Sequence, residues 1–321
     1  MFISEIFSIE KGHEFLDFVD VDCDGDTKLY VDPTLIEYDA SSIGRESHAL
    51  IRSYFDSVGK AIRAENIDEL RELSSYAHEP NETRLGMSYH NPIGKGSSPD
   101  ILMSIYQSIM DQKLLDNGTI KKPADIAVIV ENFGYDRMSD LITNIIKPAL
   151  YRFTLQQCKK YNYQLSEREY SLGYWWTPEV GKWGKARGVA FMIDSRALLL
   201  VPKGFVHRRM VKNPDEFFRR IIIPHLQEEH LAADTSLVRH GTDSRGREWT
   251  RPPFKRDVRK NELEKGSTKD RIREYLSRDF TAAEEYDEFT RKRFMNQECI
   301  LDDEQLDRIL YGIGWQRGYE A

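Results

Sequence analysis

The sequence predicts an α+β or mixed α/β fold. A sheet-containing N-terminal body spans residues 1–205, and a helical, charge-rich C-terminal part spans 206–321. Three observations carry this. A short apolar run from Asp125 to Glu131 reads as a buried strand feeding a long helical pattern that ends near Tyr161. Two stretches, 15–31 and 188–201, carry strand-like apolar residues broken by turn residues, the signature of hairpins. After Pro202 the apolar residues fall at helical spacing.

The chain has 321 residues, room for one large domain or two ordinary ones. With 40% hydrophobic and 31% charged residues it has a globular composition. No apolar run approaches the roughly 18 residues that span a bilayer. The N-terminal MFISEIFSIEKGHEF has neither the basic nor the apolar segment of a signal peptide. Cys23, Cys158 and Cys299 are isolated and odd in number, which suits a reducing compartment. A cytoplasmic protein without a membrane partner is the expectation. The net charge of −7 conceals an asymmetry: residues 1–44 hold eleven acids against Lys11 and Lys28, whereas 236–260 hold eight basic residues against three acids.

Taken in order, Val19, Val21 and Cys23 alternate with Asp20, Asp22 and Asp24. The Asp24-Gly25 step then precedes Lys28 to Val31, which predicts a hairpin. The same residues spell the opening of a calcium loop, but Val31 stands where the bidentate Glu belongs. The hairpin is therefore preferred, with the three aspartates held in reserve as metal ligands. Helices are expected over 46–65 and 67–77, where Leu50, Ile51, Phe55, Val58 and Ile62 recur at helical spacing. His78 to Pro99 is a long polar loop carrying Glu82, Arg84, Ser88, His90 and Lys95. Ser98-Pro99-Asp100 opens a helix that runs to about Leu115.

The strand 125–131 and an Asn132-Phe133-Gly134 turn lead to the long helix, with Ser139 placed as its cap and Pro148 as a kink. The aromatic group Tyr170, Tyr174, Trp175, Trp176 and Trp183 reads as core rather than a base-stacking platform. A second hairpin, 188–193 with 197–201, is apolar enough to sit centrally in a sheet. Helices follow from Asn213 to Leu231, interrupted at Pro224, and near 267–277, 281–296 and 303–311. Between them 236–260 has arginine, glycine and proline but no period, so a loop or arm is expected.

Most motifs fail on inspection. Gly94-Lys95-Gly96 lacks the first glycine and the hydroxyl of a Walker loop. His225 and His230 are five apart, on different faces of a helix, which excludes a zincin pair. A restriction-type nuclease needs an acid-x-Lys pair, and Glu131 has Phe133 in the lysine's place.

The remaining candidate is the acidic junction. Asp136 and Asp140 lie four apart on one helix face, with Asn144 a turn further on. They are the expected ligands of magnesium or manganese. Glu131, Glu82, Lys95 and Arg137 are the candidate catalytic residues around them. Arg239, Arg245, Arg247, Arg251, Lys255 and Arg256 in the basic arm are the candidate contacts to a nucleic-acid backbone.

The segments Asn81 to Ser88, Gly94-Lys95-Gly96 and Gly134 to Asp140 resemble an uncharacterised bacterial family associated with phage-defence and mobile-element neighbourhoods. The similarity covers residues 10–210 and transfers no catalytic residues. It implies work on nucleic acid and with other subunits. Two functions follow as expectations. One is a divalent-metal-dependent phosphodiesterase or nuclease component of an anti-phage system. The other is a non-catalytic adaptor that docks onto a partner ATPase or nuclease.

Overall fold

The computed structural model describes residues 1–25, 27–76, 78–86, 99–165, 167–193 and 196–312. The fold is mixed, 52% helix against 13% strand, with small antiparallel sheets and a C-terminal part built of helices. Backbone packing groups the chain into two compact units interleaved in sequence. The first comprises 1–112, 132–211 and 293–321; the second comprises 113–131 and 212–292. The chain passes between the units after residues 112, 131, 211 and 292.

The first unit is built around the helix Tyr135–Lys160. From Met138 to Leu150 every residue is buried, whichever way it faces. The helix packs along Ser42–Arg63, the strand Tyr30–Val31 and the hairpin Tyr170–Thr177 with Lys182–Gly188. Ser41 opens the helix Ser42–Arg63 by accepting from the Gly44 amide at 3.0 Å. Gly44 itself is obligatory, because a Cβ there would stand 2.4 Å from the Asp39 carbonyl oxygen. Trp176 and Trp183 are core, as expected. Their indoles donate to Ser53 Oγ and the Leu73 carbonyl at 3.2 and 2.9 Å, and both rings pack against the buried Tyr54.

Several local expectations are corrected here. The long helix begins at Tyr135, so Ser139 lies inside it, and its Oγ accepts from the Val31 amide at 2.9 Å. Pro148 lies inside the helix, at the position of the expected kink. The 15–31 hairpin does not form: the segment pairs with distant chain. Val19 donates to the Val201 carbonyl, and Tyr30–Val31 lies antiparallel to Val206–His207. Asp20 accepts instead from the amide and hydroxyl of Ser4 and from the Tyr311 hydroxyl.

The 188–201 hairpin shrinks to Met192–Ile193 against Arg196–Ala197, far from a central sheet position. The buried run Leu198–Val201 is extended without being a ladder. Its amides at 198, 199 and 200 donate to the Phe191 carbonyl, the Glu82 carbonyl and Thr154 Oγ1. Those bonds explain how an apolar run enters the core outside a sheet.

In the second unit the predicted strand 125–131 is a helix, Pro123–Ile129. Pro123 takes the first helical position, and Asp125 accepts from the amides of Lys121 and Lys122 at 3.0 and 2.8 Å. Ile126 to Val130 are all buried, so the run carried no period to separate strand from helix. The helix expected from Asn213 contains a π-helical turn, Phe218–Ile222, just before Pro224. Residues 239–251, expected to be irregular, form a hairpin of Arg239–Thr242 with Glu248–Arg251. The helices Lys255–Leu263, Thr268–Leu276 and Thr281–Met295 follow.

At the core of this unit Phe217 stacks on Tyr286 with ring centroids 4.5 Å apart. The buried Lys212 ammonium is held by Asp125 and Asp287. Burial alone would pull its pKa down, but the two carboxylates overcome that and raise it above the usual lysine range. No helix among the described residues is long and apolar enough to cross a membrane.

Candidate functional site

The candidate site lies in the first unit, on one face of Tyr135–Lys160. Asp136, Asp140, Asn144 and Lys147 succeed one another at intervals of four, four and three residues, so they line up along the helix. The stretch 78–82 comes alongside. Asn144 Nδ2 donates to the His78 carbonyl at 2.5 Å and to the Asp140 carbonyl at 2.9 Å. Lys147, only 2% exposed, places its ammonium 2.9 Å from Glu82 Oε1. The face thus has an acidic end at Asp136 and Asp140 and a paired end at Lys147 and Glu82.

The acidic end is electrostatically strained. The Asp140 side chain is buried, and no hydrogen bond to its carboxylate is found among the described residues. Burial, then Asp136, then Glu79 push its pKa up to about 8, so at neutral pH it carries its proton. Asp136 is exposed but also shifted up by desolvation, with Arg137 opposing. Tyr30 faces the same pair, and burial followed by Asp136 and Asp140 raises its phenol. Its ring meets Tyr135 edge-on at 6.3 Å. His78 is shifted down by burial and by Lys147.

The other candidates are dispersed. Arg137 donates to the Asn132 carbonyl at the helix start. Glu131 belongs to the second unit, where its carboxylate accepts from Ser267 Oγ at 2.6 Å. With the strand replaced by a helix, Glu131 no longer projects from a strand end. Lys95 lies outside the described residues.

The basic residues gather on the 239–251 hairpin and the segment after it. Arg239 donates to the Pro252 carbonyl and lies 3.9 Å from the Phe254 ring centroid. Arg251 covers Trp249 at 4.7 Å, and Arg256 approaches Phe254 at 5.2 Å. Arg247 is neutralised by Asp243 at 2.8 Å, whereas Arg245 and Lys255 are exposed at the turn and the next helix start.

Among the described residues no group of three or more His, Cys, Asp or Glu side chains is gathered closely enough to hold a metal ion. Asp136 and Asp140 would therefore act as a pair. Magnesium is commonly bound in that way, through one or two carboxylates with water and substrate phosphates completing its shell. Glu79, Asn144 and Lys147 complete the constellation, and the carboxylate spacing alone did not name Glu79 or Lys147. Lys147 had a signal: it is a lone charge inside the apolar run Leu141–Leu150.

Fold and site together define a helix-centred α+β domain with an acidic helix face. The chain belongs to the family described as a domain of unknown function, DUF8370, whose model matches residues 8–213. That span includes the acidic face and ends before the basic hairpin. No curated protein and no solved structure matches the chain.

Proposed function

We propose that this protein is a divalent-metal-dependent phosphodiesterase or nuclease component of a bacterial anti-phage system. The observation that carries the reading is Asp140, a buried carboxyl pressed against Asp136 and Glu79 with a pKa near 8. A carboxyl so displaced is unfavourable in its charged form unless a cation joins it, and such groups concentrate at functional sites. Asp136 and Asp140 would hold magnesium or manganese, which would supply positive charge for a phosphoryl oxygen and lower the pKa of the attacking water. Arg137 or Lys95 contacts phosphate, and Glu82 is held by Lys147 at the far end of the face. The basic hairpin follows the nucleic-acid backbone. The defence setting rests on the resemblance of the Asn81–Ser88 and Gly134–Asp140 segments.

The test is cleavage of plasmid, single-stranded DNA and RNA with magnesium or manganese, comparing the native chain with a folded Asp136→Ala/Asp140→Ala variant. Turnover by the native chain, lost in the variant with binding retained, is the expected result. Equal turnover by both proteins would remove the site.

One observation favours a second reading, an adaptor docking onto a partner ATPase or nuclease: the chain is acidic overall, with a net charge of −7. For the adaptor, Asp140→Ala leaves the function of an assembled complex intact.

A further inference from the structure

A second feature of the first unit is a cavity of about 390 Å³. It lies within the roughly 300–1,000 Å³ typical of small-ligand sites. Its wall is built by a bulge. The pairing of Tyr170–Thr177 with Lys182–Gly188 slips between Ser171 and Tyr174, and Gly173 there takes φ +75°. A bulge of this kind re-aims side chains at a site, and here Ser171, Gly173 and Trp175 all face the cavity.

The remaining walls bring three kinds of chemistry together. Trp175 offers an aromatic ring braced by Tyr151, whose centroid is 5.0 Å away and whose hydroxyl donates to the Val189 carbonyl. Asn81 and Glu82 add an amide-bearing and a carboxylate-bearing residue to the lining. Glu82 is fixed twice, by Lys147 on one oxygen and by the Leu199 amide on its carbonyl. Because Lys147 already balances its charge, this carboxylate suits neutral N–H donors better than a cation. Arg196, also on the wall, is exposed and has no ion pair among the described residues.

We propose that this cavity binds a guanine nucleotide. The base stacks on Trp175, its adjacent N1–H and N2–H donate to Glu82, its O6 accepts from Asn81, and the phosphate meets Arg196. Guanine is singled out because it presents two neighbouring donors beside an acceptor, whereas adenine presents one amino donor. Lys147 is seven residues beyond Asp140, about 10 Å along the helix. The cavity is therefore distinct from the acidic end, and the proposal holds whether or not that end hydrolyses anything.

Isothermal titration of the full chain with GMP, without metal and without cleavage, tests it. GMP is expected to bind, with AMP, guanosine and inorganic phosphate each about tenfold weaker or worse. Trp175→Ala and Arg196→Ala, both at partly or fully exposed positions, are each expected to weaken GMP about tenfold, the order of one base stack or one charged contact. Ser171→Trp, which fills the mouth, should abolish binding. Melting curves of all three variants establish that they are folded. Absence of binding at millimolar GMP, equal affinity for AMP or for phosphate alone, or unchanged affinity in the folded variants would overturn the proposal.

Discussion

Asp140 makes its own contribution to the pH behaviour of the first unit. Its folded pKa of about 8 stands above its unfolded value, so between the two the folded state holds more protons. The Asp140 contribution to stability therefore falls as pH rises from about 4 to about 8, at up to roughly 1.4 kcal/mol per pH unit, and levels off above that. Asp140→Asn removes the ionisation, and we expect a variant more stable at pH 8 with a flatter profile, read by urea titration across that range. An unaltered slope would show that Asp140 is not the group responsible. The Asp136–Asp140 spacing was legible in the sequence because it is local to one helix. Glu79 was not, since only the tertiary fold brings 78–82 against that face. Lys147→Met strands the Glu82 carboxylate, 28% exposed, and should destabilise by about 1–3 kcal/mol. Adding Glu82→Gln should recover part of the loss, and a double-mutant cycle measures the coupling.

At the level of elements, patterning works best where an element is half-buried. The helix Ser42–Arg63 buries one stripe, so its period is visible in the sequence. Pro123–Ile129 lies deep enough that its apolar run looks the same as a strand. The basic hairpin fails in the opposite way: neither face is well buried, so no alternation marks it. What marks it is cross-strand fit, with Trp249 lying over Gly241, where a Cβ would stand 2.3 Å from the indole. Gly241→Ala should displace the ring and change the near-ultraviolet circular dichroism while leaving most helical signal intact. Arg247→Ala with Arg251→Ala should reduce the salt dependence of nucleic-acid affinity. An unchanged salt slope would dismiss the hairpin as a backbone contact.

At the level of the molecule, interleaving makes each unit depend on remote chain. Buried His13 joins Asp307 through Nδ1 at 2.6 Å and accepts from the Asp20 amide on Nε2. The last described helix, Asp303–Leu310, is thereby tied to the first twenty residues of its unit. A fragment of residues 1–205 keeps the acidic face but loses Asp307. It also leaves Pro123–Ile129 without the helices Pro214–Phe217 and Thr268–Leu276 that pack on it. We expect that fragment to aggregate in gel filtration. A monodisperse fragment with a cooperative melt would uphold a domain boundary at 205.

The sequence by itself determined the mixed helix-and-strand class, most of the long helices, and the opposite charges of the N-terminal end and the basic stretch. These depend on neighbours within a turn or two of chain, which a single sequence displays. The tertiary structure alone decided that 125–131 is no strand, that Tyr30–Val31 pairs with Val206–His207, and that Glu79 and Glu82 come alongside the helix that carries Asp136, Asp140 and Lys147. In each case the deciding interaction joins residues far apart in sequence or surrounds a segment on all sides. Burial of that kind removes the periodic contrast between faces from which local structure is read.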